Sequence, residues 1–77
     1  MAATIRFWAG ARRAAGHAEE PTQAPTLAAL RSELAARPGL ADVVAASSFL
    51  VDGQSVADDL PLPPAATIDV LPPFAGG

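Results

Sequence analysis

Near its end the chain carries a stretch, Thr67-Ile68-Asp69-Val70-Leu71, that alternates apolar and polar residues just as residues 3–9 (Ala-Thr-Ile-Arg-Phe-Trp-Ala) do near its beginning. A period of two sends successive side chains to opposite faces, so each stretch reads as a strand with one buried face. Ile5, Phe7 and Ala9 point one way in the first, while Thr4, Arg6 and Trp8 point the other. In the last strand Ile68 and Val70 face in, while Thr67, Asp69 and Leu71 face out. If the two strands lie side by side and parallel, Trp8 and Leu71 meet on the outer surface. An outward tryptophan at a strand end is either covered by a local loop or held for a partner, and tryptophan is enriched at binding hot spots.

Something between these strands must cover their inner face. Thr26 reads as the N-cap of an amphipathic helix, with Leu27, Leu30 and Leu34 on one side and Pro38-Gly39 as the stop. Its expected length is about a dozen residues, and its leucine stripe is core packing. No glutamate follows three residues after the cap, so half of a capping box is present. Residues 10–16, between two glycines, read as a loop with one helical turn. Residues 17–24 are a weak strand signal that Pro21 either confines to a sheet edge or breaks. Leu40, Val43 and Val44 suggest a short second helix closed by Ser47-Ser48. Phe49-Leu50-Val51 reads as a short strand, and Asp52-Gly53 as a type I′ turn with Gln54-Ser55-Val56 returning as its hairpin partner. A proline-rich loop, residues 60–66, leads into the last strand. The simplest assembly is α+β, a small sheet with one main helix packed across it.

Composition narrows the chemistry. Seventy-seven residues make one expected domain, with a body over 1–71 and a tail over 72–77. There are no cysteines, hence no disulfide, thiolate metal site or cysteine nucleophile. The net charge is −3 and all five basic residues are arginines, scattered apart from Arg12-Arg13, a pattern that argues against nucleic acid as the main partner. Without lysine there is no side-chain amine to accept an isopeptide bond or to form a Schiff base. His17 is a lone imidazole read as a solvated loop residue. Glu19-Glu20 would point to opposite faces of a strand, and Asp58-Asp59 lie in a turn-rich stretch without a third ligand, so no metal site is expected. No apolar run approaches the roughly 20 residues needed to cross a bilayer, and a cytoplasmic location is the expectation.

The tail, Pro72-Pro73-Phe74-Ala75-Gly76-Gly77, has its own pattern. Two prolines hold φ near −65° and favour an extended course, so the segment should leave the body as a semi-rigid stalk. Six extended residues reach roughly 20 Å. Gly76 and Gly77 have no Cβ, so the tip can thread a narrow slot and its carboxylate is sterically bare. Phe74 is a large apolar group that calls for a receiving surface. Such an end suits a carboxylate that reacts inside another protein's active site.

Taken together, Phe7-Trp8-Ala9 with Ala11-Arg12 and Gly16, Thr26-Leu27-Ala28-Ala29-Leu30, Leu50-Val51-Asp52-Gly53, and Asp69 through Gly77 resemble the ubiquitin-like sulfur carriers of the MoaD/ThiS type over essentially the whole chain. The Pro-Pro-x-x-Gly-Gly ending is most similar to that of molybdopterin synthase small subunits. The stretch around Pro21 departs from the family's more regular second strand. The resemblance implies a β-grasp fold and a protein that is not an enzyme on its own. It implies that the Gly77 carboxylate is adenylated with ATP by an enzyme similar to ubiquitin E1 and converted to a thiocarboxylate with sulfur from a donor. A larger catalytic subunit, in a heterotetramer, would then pass the sulfur to a pyranopterin precursor of the molybdenum cofactor. No cofactor is expected to stay bound. Trp8, Leu71 and Phe74 would anchor on the partner, with Arg12 making a polar contact. The alternatives are a carrier for thiamin or cysteine synthesis and a protein modifier conjugated through Gly77.

Overall fold

The computed structural model describes residues 2–73. The elements run β1 (Ala3–Phe7), α1 (Ala9–Ala15), β2 (Glu19–Thr22), α2 (Leu27–Ala35), α3 (Ala41–Ala46), β3 (Ser48–Val51) and β4 (Thr67–Leu71). They form a mixed sheet in the order β2-β1-β4-β3. The two alternating strands are its centre. They pair in parallel, with Thr4 opposite Thr67, Ile5 opposite Ile68, Arg6 opposite Asp69 and Phe7 opposite Val70. β2 and β3 flank them antiparallel, and Pro21 sits on the outer strand β2, where a missing N–H costs no ladder bond on the solvent side.

A parallel pair needs a long crossover, and here the helices provide it. Thr26 caps α2 by accepting from the backbone N–H of Ala29 at 3.1 Å. Leu27, Leu30 and Leu34 are completely buried, in one cluster with Ile5, Phe7, Phe49, Val51, Ile68 and Val70 from the sheet and Leu40 and Val44 from the α3 region. Each such side chain contributes roughly 1.5–3 kcal/mol when removed from water. At the sheet edge Glu20 receives both guanidinium nitrogens of Arg37 and lies 2.7 Å from the His17 Nε2. The Arg37 hydrogen bonds, opposed by partial burial and helped by His17, lower the Glu20 pKa to about 2. His17 is half-exposed in the α1–β2 turn, and its ring meets that of Phe7 nearly at right angles, 5.8 Å between centroids.

Several expectations give way. β1 stops at Phe7, and Ala9 begins a helix instead of continuing the strand. Ala9 has φ +48°, which turns the chain out of the sheet at once. The expected loop with one turn is the seven-residue α1, closed by Gly16 at φ +87°. α2 has nine residues, fewer than the dozen expected. Asp52 and Gly53 do take positive φ, 49° and 81°, as a type I′ turn requires. Yet the returning segment makes only an isolated bridge at Gln54, because β3 finds its ladder on β4.

Candidate functional site

The outer face of the central strands carries the side chains that the buried face excludes. Parallel register places Arg6 beside Asp69, and Leu50 of β3 stands opposite Asp69 on the other side. One step along, Leu71 pairs with Ser48, and the Trp8 N–H donates to the Val70 carbonyl at 3.2 Å, which sets Trp8 next to the end of β4. Trp8 and Leu71 therefore share the surface where the chain leaves the sheet, as the alternation required. Trp8 is 40% exposed, one of two large apolar side chains this open among the described residues. Leu71 and Pro72 are half-buried and Pro73 is exposed.

Trp8 is held by more than backbone. Its indole Nε1–H donates to Asp69 Oδ1 at 2.9 Å. Arg6 Nε approaches the same oxygen at 3.4 Å, and its guanidinium carbon lies 4.9 Å from the indole centroid. A cation over an indole face is attracted by the ring quadrupole, so Arg6 holds the ring's face while Asp69 holds its edge. Sequence reading placed Trp8 on this surface but missed Asp69 and Arg6 as its partners. Both were known to face outward, and drawing the parallel register would have set them opposite each other.

Arg12 is exposed on α1 and joins Arg6, Trp8, Ala9 and Glu19 around a shallow cavity of about 180 Å³. With Arg13, Gly16 and His17 it also lines a wider open depression of about 510 Å³. Neither Arg12 nor Arg13 makes an ion pair among the described residues. Phe74, Ala75, Gly76 and Gly77, including the expected reactive carboxylate, lie outside the described residues. Among the described residues no group of three or more His, Asp or Glu side chains is arranged to hold a metal ion, and no helix is long and apolar enough to cross a membrane.

The model of the ThiS family matches residues 5–77. Among solved structures the chain is similar to a Pyrococcus furiosus protein described as molybdopterin converting factor, subunit 1. That match has TM-score 0.75 and 19% identity, and covers 94% of this chain and 97% of the other. It is also similar to the HVO 2177 protein of Haloferax volcanii, with TM-score 0.74 and 25% identity over 100% of this chain and 87% of that one. No curated protein matches. The mixed sheet crossed by one main helix is the β-grasp arrangement these neighbours share. With nearly its whole length matched by the family, the chain belongs to the ThiS family and is a ubiquitin-like sulfur carrier of the MoaD/ThiS type.

Proposed function

We propose that this carrier is the sulfur-donating small subunit of a molybdopterin synthase and is not catalytic by itself. The observation that carries the reading is the Pro72-Pro73-x-x-Gly76-Gly77 ending, rooted on the central strand β4 beside the exposed Trp8. Gly77 would be the reacting group. A carboxylate is a poor electrophile. An adenylating enzyme would join it to AMP from ATP with release of pyrophosphate, and a sulfur nucleophile would then displace AMP to leave the thiocarboxylate. Gly76 lets the tip enter a narrow channel, and the diproline limits the conformational freedom lost on insertion. Trp8, Leu71 and Phe74 would seat the body on a large catalytic subunit, with Arg12 meeting an acidic group at the edge. The acid and base groups for sulfur transfer to the pyranopterin precursor would belong to that subunit. The name of the Pyrococcus furiosus neighbour points to the same pathway.

A second reading keeps the thiocarboxylate and changes the acceptor to a thiamin or cysteine precursor, because the family match is to the ThiS family. The decisive experiment is the intact mass of the chain after incubation with ATP, its host's adenylating enzyme and a sulfur donor. The expected product has one terminal oxygen replaced by sulfur, and a Gly77-deleted chain should remain unmodified. A chain that stays unmodified, or that appears as lysine adducts on other proteins, would refute the proposal. Sulfur loading followed by release to a precursor other than the pyranopterin would select the second reading.

A further inference from the structure

Beyond the residues assigned to docking, we infer that Asp69 is a positioning residue: with Arg6 it fixes the Trp8 indole in one orientation, its N–H already satisfied, before any partner arrives. This deepens the reading above, since it concerns how the docking surface is prepared. The indole is pinned at two places, by the 2.9 Å bond from Nε1 to Asp69 Oδ1 at its edge and by the Arg6 guanidinium 4.9 Å from its centroid. Arg6 and Asp69 are direct cross-strand neighbours and approach within 3.4 Å, so each charge offsets the other next to the ring. The Trp8 backbone is fixed as well, its N–H on the Val70 carbonyl and its carbonyl accepting from Ala11 at 3.0 Å.

Two consequences follow for the partner. Its receiving pocket needs no acceptor for the indole N–H, because Asp69 has taken it. The exposed remainder of the ring, on the same face as Leu71, is apolar, so the surface that fits it is an apolar pocket on the sulfur-accepting subunit. Ordering one rotamer-rich side chain on binding costs enough to weaken affinity by roughly two- to twelvefold, and a ring held in place in advance avoids that loss.

Trp8 is the chain's single tryptophan, so its indole N–H gives one resonance in a ¹⁵N-edited NMR spectrum. In the free full-length chain, Asp69→Ala should shift that resonance and speed its exchange with solvent, while Asp69→Asn, which keeps an acceptor oxygen, should largely restore it. In a titration with the large subunit from the same host, Asp69→Ala should weaken binding roughly three- to tenfold in the wild-type background. The same substitution should change nothing further in a Trp8→Phe background, because Asp69 acts through the indole. An unmoved indole resonance in Asp69→Ala would overturn the inference, as would an equal loss of affinity in both backgrounds, which would mean that Asp69 touches the partner itself. A wild-type chain that fails to bind this subunit would count against the proposed function, and the indole resonance would still decide whether Asp69 holds the ring.

Discussion

The two faces of the β1–β4 pair are built from alternate residues of the same two strands, with Trp8 just past the end of β1, yet they obey different rules. Inward, Ile5, Phe7, Ile68 and Val70 are at most 3% exposed and meet apolar groups. Outward, Arg6, Trp8, Asp69 and Leu71 combine charge, hydrogen bonding and exposed apolar area. The inner face is finished within the chain, because every side chain there has its neighbours. On the outer face the indole N–H is bonded to Asp69 while much of the ring is not covered. An exposed aromatic ring whose N–H is already bonded is what the proposed docking on a partner would use.

The sharpest way to break this contrast is to truncate neighbours on opposite faces. Ile68→Ala removes a fully buried side chain at the sheet centre and should cost about 2–5 kcal/mol in urea unfolding. Thr67→Ala, one residue earlier and facing out, should stay within about 0.5 kcal/mol. Equal losses would mean that the faces are not distinct. At the β2 edge a charged group, Glu20, stands opposite the inward-facing Ile5 and is paired with Arg37. Its pKa falls from an ordinary 4.5 to about 2. The lowered value means the folded state favours the carboxylate, so this stabilisation is complete above pH 4.5, declines as pH falls towards 2, and is gone below that. Glu20→Gln should remove about 2–3 kcal/mol at neutral pH and flatten the acid limb of the stability curve. A mutant curve parallel to wild type between pH 5 and pH 2 would contradict the pairing.

Much of this contrast was legible in the sequence, for reasons that can be named. Ile68 and Val70 alternate because one face is buried, Thr26 precedes the leucine stripe because a helix start has unpaired N–H groups, and Asp52-Gly53 tolerates two positive φ values. Three features were not legible. Alanine fits strand and helix alike, so nothing at Ala9 revealed that φ turns positive there. The Asp52-Gly53 turn advertised a hairpin with residues 54–56, but a local signal cannot rank partners, and β4 offered β3 the longer ladder with a buried face. The Trp8–Asp69 bond joins residues 61 apart, and only a drawn register brings them together.

On the outer face the effects should appear in binding. Trp8→Ala should weaken association with the large subunit by about 2 kcal/mol, roughly thirtyfold, and lower the stability of the free chain by less. Thermal melts and a titration on the same variant measure both quantities. The reverse ordering would mean that Trp8 serves the fold, and the division between the faces would fail at its most exposed residue.

The smallest effect tests the joint between the faces. Immediately after Trp8, Ala9 takes φ +48°, where an L-residue with a Cβ is strained, and the chain leaves the sheet to start α1. Glycine removes that strain but adds backbone freedom to the unfolded chain, and the two terms are each of order 1 kcal/mol with opposite signs. Ala9→Gly should therefore change unfolding free energy by less than about 0.5 kcal/mol. Ala45→Gly, exposed inside α3, has no strain to relieve and should lose about 0.5–1 kcal/mol. Chemical denaturation of the two variants compares them directly. A loss at Ala9 as large as that at Ala45 would mean that residue 9 is unstrained, and that Trp8 is placed by its partners Asp69 and Arg6 without help from a forced turn behind it.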